Sequence, residues 1–135
     1  MITLELAHQL RACGVEWDPQ PGDRFVIVDR DMDDDVFVVS NMVVDVHDLP
    51  GGRVIGFNGT VEWALDSVEA NEVVWLPRES QLRDLLGEAF LRLESVPPGL
   101  VVVIRRGVDE HRYADVDAER AYARAFLGLI GAPGA

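Results

Sequence analysis

Apolar residues in this chain change their spacing several times, and those changes limit the available folds more than any single residue does. Helical spacing at the N-terminus gives way to short period-two runs, returns after Pro77, breaks for a hairpin and returns at the end. Leu6, Ala7, Leu10 and Cys13 form one stripe on a helix predicted over 4–13, with Thr3 as its N-cap and Gly14 as its left-handed stop. The segment Trp17-Asp18-Pro19-Gln20-Pro21-Gly22-Asp23 reads as a turn-rich lead-in to strands at 24–28, 36–40, 43–47 and 53–57. Val44 and Val46 alternate with Asp45 and His47, as on a half-buried strand. Because short turns join these strands, the expected fold class is α+β: a mainly antiparallel β-meander sheet packed against about three amphipathic helices.

Asn58-Gly59 is the strongest local turn signal, since both residues tolerate positive φ in a type I′ hairpin. A two-residue turn there sets Gly56 opposite Val61 and Val54 opposite Trp63. A helix over 60–68 is the competing reading, because Val61, Ala64, Leu65 and Val68 also fit helical spacing. Pro77 opens the next helix, whose stripe is read as Leu82, Leu85, Leu86, Ala89, Phe90 and Leu93. Strands at 100–105 and 111–113 then close around Gly107. The last helix starts near Asp115 or Asp117 and is expected to bury Ala121, Tyr122, Ala125, Phe126, Leu129 and Ile130.

A chain of 135 residues with 48% hydrophobic content can bury a core without a disulfide or metal, and it is read as one compact domain over 1–135. Net charge is −12, and every one of the 12 cationic side chains is arginine. Without lysine there is no P-loop lysine for nucleotide phosphates and no amine for Schiff-base chemistry. The negative field disfavours nucleic acid and anionic membranes and favours a basic protein partner. The N-terminus lacks a basic leader, and the apolar runs fall short of the ~20 residues of a membrane helix, so a cytoplasmic, bacterial protein is expected.

Motifs for chemistry are sparse. Cys13, the only cysteine, excludes an internal disulfide and a thiolate cluster, and it is read as a packed small hydrophobe near a helix C-terminus. The run Asp29-Arg30-Asp31-Met32-Asp33-Asp34-Asp35 invites a calcium reading. It departs from an EF-hand loop at Asp34, where glycine is needed, and at Ser40, where a bidentate glutamate is needed, so a solvated loop is expected. His8, His47 and His111 have no zinc-ligand spacing, and no serine sits in a nucleophile elbow. No cofactor, metal or catalytic residue is therefore assigned.

Trp17, Trp63 and Trp75 read first as core anchors. The alternative, and the single site hypothesis, is a groove lined by Trp63 and Trp75 and edged by Glu62, Asp66 and Glu79, suited to a cationic or arginine-rich ligand.

FNGTVEWALDSV and VVWLPRESQLRDLL, within Phe57 to Leu86, together with VEWDPQPGDRFVI from Val15 to Ile27, carry a resemblance. The chain resembles a group of short, acidic actinobacterial proteins, some labelled pilus assembly proteins of the CpaE type. That ATPase class depends on a P-loop, from which a lysine-free chain departs. The resemblance thus implies a family of small domains and transfers no catalytic residue. Together these features point to a non-enzymatic interaction or accessory module; the rival is a small-ligand binder or enzyme whose carboxylates and histidines only the fold assembles.

Overall fold

The computed structural model describes residues 1–28, 36–39, 43–49, 52–58, 67–69 and 73–131. In chain order the described elements begin with α1 (Leu4–Ala12), β1 (Arg24–Ile27), β2 (Val36–Val38), β3 (Val43–Leu49), β4 (Gly52–Asn58), β5 (Ser67–Glu69) and β6 (Val73–Leu76). They continue with α2 (Glu79–Leu86), β7 (Phe90–Val96), β8 (Gly99–Arg106), β9 (Asp109–Asp115) and α3 (Ala118–Leu129). The fold is α+β, as its sequence pattern implies. Among the described residues its strands divide into three three-stranded sheets, ordered β2-β1-β6, β3-β4-β5 and β7-β8-β9. The chain forms two compact units, Met1–Val15 with Leu76–Ala135, and Glu16–Trp75.

The first unit holds the three helices and the β7-β8-β9 sheet. Thr3 caps α1, its Oγ1 accepting from the Leu6 N–H at 3.1 Å, and Gly14 stops the helix at φ 93°. Leu6, Ala7 and Leu10 are buried as their stripe requires. Cys13 is exposed, a correction to its reading as a packed hydrophobe: it is the C-cap, one position past the helix and off the buried stripe. At α2 the Arg78 N–H donates to Gln81 Oε1 at 2.9 Å, so the N-cap falls one residue after Pro77.

The stripe expected to run from Leu82 to Leu93 on one helix is shorter. Leu82 and Leu86 are buried on α2, which ends where Gly87 takes φ 57°. A 3-10 turn over Gly87–Ala89 follows, and Phe90 and Leu93 belong to β7. Their spacing continued the helical pattern by coincidence. What decides the strand is its pairing, Leu93 opposite Val102 and Glu94 opposite Val101, with an irregularity between Phe90 and Arg92.

β8 is the central strand and is buried on both faces: Val101, Val102, Val103 and Ile104 are all core residues. β9 pairs on its other side, and Arg106 opposite Asp109 leaves Gly107, at φ 67°, in the tight turn. α3 begins after Asp117, whose carboxylate accepts from the Glu119 N–H at 2.8 Å. This helix packs against β8, β9, α2 and α1, so it is buried on more than one face. Ala123, Leu127 and Gly128 join Ala121, Tyr122 and Ala125 in the core, whereas Ile130, expected inside, is exposed. A single-stripe reading assumes one packing neighbour, and α3 has four. Gly128 is required by one of them: a methyl group there would overlap the ring and hydroxyl of Tyr113 on β9.

In the unit Glu16–Trp75, β1 pairs antiparallel with β2, setting Arg24 opposite Val38, Phe25 opposite Phe37 and Val26 opposite Val36. Phe25, Ile27, Val39 and Val73 form its core, with Trp17 and Phe37 packed against it. The meander of β3 and β4 forms as expected, with Val44 opposite Phe57 and Val46 opposite Ile55. The two-residue hairpin at Asn58-Gly59 does not set the next pairing. Gly56 lies opposite Ser67 and Val54 opposite Glu69, so β5 takes the place expected for the run from Thr60. Residues 59–66, on which the hairpin and helix readings also fell, lie outside the described residues.

Candidate interaction surface

Asp23 organises the start of the sheet in Glu16–Trp75. It is 1% exposed, and its Oδ2 accepts from the Trp17 indole Nε1–H at 2.9 Å and from the Gln20 backbone N–H at 3.0 Å. Its backbone carbonyl accepts from the Val39 N–H at 2.8 Å, and the Gly22 N–H donates to the Val39 carbonyl at 2.6 Å. A buried carboxylate is tolerated when hydrogen bonds compensate its lost hydration; this one closes the turn, while the main chain of Gly22 and Asp23 joins Val39 just after β2. Trp17 is thereby the core anchor expected of it, with its ring 5.4 Å from that of Phe25. Asp23 was not singled out from the sequence, although Pro-Gly-Asp just before an apolar run was a visible turn signal.

Of the five residues in the groove hypothesis, Glu62, Trp63 and Asp66 lie outside the described residues. Trp75 is half-buried on β6, and its buried Nε1–H has no hydrogen-bond partner among the described residues. Glu79 belongs to the other unit, where it opens α2. Its N–H donates to Glu119 Oε2 at 2.8 Å, and its carboxylate accepts the Tyr122 hydroxyl. Burial and the neighbouring Glu79 charge push the Tyr122 phenol up, so it stays a donor. Tyr122 stacks on Phe90 at 5.7 Å, and the Arg83 guanidinium lies 4.2 Å above the Phe90 ring. This arrangement locks α2 onto α3.

Two groups of charges in that unit pair with one another. On the β7-β8-β9 sheet, Glu94 accepts from Arg92 at 2.7 Å and from Arg112 at 2.9 Å, while Arg92 also reaches Glu110 at 2.9 Å. The Arg112 and Arg92 guanidiniums hold the Glu94 carboxyl down at about 2. Their cross-strand neighbour Val103 is fully buried beneath this ladder. Before α3, Asp115 meets Arg120 at 3.2 Å and Arg124 at 3.0 Å. Burial opposes ionisation of Asp115, but the Asp117 N–H and the two arginines outweigh it and keep the carboxyl below its ordinary range. Asp117 is held low in the same way, against burial, by the Met1 ammonium at 2.6 Å and the Glu119 N–H.

The two units therefore differ sharply in charge. Met1–Val15 with Leu76–Ala135 contains ten acidic residues and nine arginines, whereas Glu16–Trp75 contains 14 acidic residues and three arginines. Almost the whole net negative charge of the protein, −11 of −12, therefore resides in one unit. No protein-family model, curated protein or solved structure matches this chain.

Among the described residues no three His, Cys, Asp or Glu side chains are grouped to hold a metal ion, and no helix is long and apolar enough to cross a membrane. His8 is exposed and His111 half-buried; the run Asp29 to Asp35 lies outside the described residues.

Proposed function

We propose that this protein is a non-enzymatic interaction module that binds a protein partner through a basic surface, using the unit Glu16–Trp75. The observation that carries the reading is the charge segregation: 14 acidic residues against three arginines in that unit, beside a near balance in the other. Such a field accelerates encounter with a basic partner and penalises acidic ones, nucleic acid included. The balanced unit supports the reading in a second way, since four of its nine arginines, Arg92, Arg112, Arg120 and Arg124, are held by that unit's own carboxylates at 2.7–3.2 Å. We place the protein in the bacterial cytoplasm, consistent with its single, exposed, unpaired cysteine.

Immobilised protein tested against basic and acidic proteins of similar size should retain the basic ones at low salt and release them at high salt. Replacing Asp31, Asp33, Asp34 and Asp35 with asparagine removes four acidic charges from the unit and should weaken retention. Salt-insensitive capture of an acidic protein would overturn the reading.

A further inference from the structure

We propose that β7 is a self-recognition edge: two copies of this chain pair it antiparallel about a two-fold axis at Leu93, joining their β7-β8-β9 sheets into one. The inference goes beyond the basic-partner reading above and rests on no part of it.

β7 ends the order β7-β8-β9, in a unit described without a break from Leu76 to Gly131. Its side chains reach solvent: Arg92 and Ser95 are exposed, and Leu93 is 36% and Val96 45% exposed. Leu93 stands in one row with Val102 of β8 and Tyr113 of β9. That row faces α3, because Tyr113 lies against Gly128. Val102 is fully buried and Tyr113 half-buried, so burial in the row fails at its outer strand. A strand added beside β7 would continue the sheet and set a neighbour against Leu93 on the same face.

Charge selects the occupant. On the opposite face β7 carries Arg92 and Glu94, one on each side of Leu93. Facing residues of an antiparallel pair share a face, so when a strand pairs with its own copy one residue must sit on the two-fold axis. Centring on Arg92 would bring two guanidiniums together, and centring on Glu94 two carboxylates. Centring on Leu93 sets Arg92 opposite Glu94 of the second copy and Glu94 opposite its Arg92, with leucine against leucine on the other face. Charges on an edge strand normally keep other chains away. These reject a mismatched strand and admit their own. Within each chain Glu94 accepts from Arg112 at 2.9 Å and Arg92 reaches Glu110 at 2.9 Å, so the ion-paired ladder would run on across the axis. β9, the other outer strand, has Glu110 and Arg112 about His111 but leaves no large apolar side chain exposed. With ten acids and nine arginines, this unit also lets two copies approach where the charge of the chain is least.

The test uses the full-length protein. Light scattering over a concentration series should show a monomer–dimer equilibrium. Arg92→Glu and Glu94→Arg each place like charges opposite one another twice across the axis, and each should raise the dissociation constant about tenfold or more. Mixing the two variants should restore dimers, because each then meets the opposite charge on the other. Leu93→Lys keeps Arg92 and Glu94 and puts two ammoniums on the axis, with the same expected loss; helical circular dichroism confirms that each variant is folded. The β7 amides that point away from β8 should exchange more slowly as the wild-type protein is concentrated. A wild type that stays monomeric, or a dimer that survives these substitutions, would overturn the proposal. So would a dimer lost only on Glu110→Arg, which would assign β9 as the edge. Protection of the outward β7 amides in the dilute monomer would show the edge covered within one chain and would overturn it as well.

Discussion

The two units handle charge in opposite ways. In Met1–Val15 with Leu76–Ala135, acids and arginines are nearly equal in number, and several pair with each other: Glu94 between Arg92 and Arg112, Asp115 between Arg120 and Arg124. In Glu16–Trp75 the buried acid, Asp23, accepts from the Trp17 indole and the Gln20 N–H, and 14 acids outnumber three arginines. The first arrangement stabilises a fold, and the second projects a field. Charge balanced within a unit adds little to recognition, while an excess of one sign steers partners at some cost in self-repulsion.

Spectroscopy can separate the units. All three tryptophans lie in Glu16–Trp75, and all three described helices lie in the other unit. Indole fluorescence therefore follows one, and helical circular dichroism follows the other.

The largest expected effect is at Gly128. Gly128→Ala drives a methyl group into Tyr113 and should destabilise the helical unit by about 3 kcal/mol, read as an earlier loss of the helical signal on heating. An unchanged transition would show that Tyr113 swings aside freely. Asp23→Ala leaves the Trp17 indole N–H and the Gln20 N–H without their acceptor, at about 2 kcal/mol, and should shift the fluorescence transition. If it shifts the helical transition equally, the units unfold as one body.

Acid should act mainly on the ion-paired unit. The folded-state pKa values of Asp115 and Asp117 lie below the ordinary 3.8, and that of Glu94 falls from 4.5 to about 2. Their contribution is complete above the unfolded values and is lost as pH falls through the folded ones, from about 4.5 towards 2. The helical transition should weaken across that window, and Asp115→Asn, costing about 1 kcal/mol or less at neutral pH, should flatten the dependence. A helical unit equally stable at both ends of the window would refute the internal role of its ion pairs. The smallest effect is at Trp75. Trp75→Phe deletes a buried donor that has no partner among the described residues, so stability should stay level or rise by up to about 1 kcal/mol in the fluorescence transition from Trp17 and Trp63. A clear loss would show that the indole N–H is satisfied in solution.

Features that depend on a few neighbouring residues were legible in the sequence. Thr3 as a cap, Gly14 as a left-handed stop, the hairpin closed around Gly107, a last helix starting near Asp115 or Asp117, and the β3–β4 meander all follow from local chemistry. The groove hypothesis was not resolved in the same way: only Trp75 and Glu79 are described, and Glu79 is engaged by Tyr122. Helical spacing ran on from Leu86 to Phe90 and Leu93, yet those residues form a strand because β8 offers them a ladder. Asn58-Gly59 was a sound turn signal, yet β4 pairs with β5, further along the chain.

By itself, then, the sequence determined the α+β class, most element types and the partition of charge along the chain, because each is encoded within a short window of residues. Tertiary structure alone decided which strands became partners, that α3 is buried on several faces, that Cys13 and Ile130 face outward, and that Val36 and Val38 are exposed. Those outcomes depend on contacts between segments far apart in the chain, where packing and hydrogen-bond pairing outweigh the modest free energies of local preference.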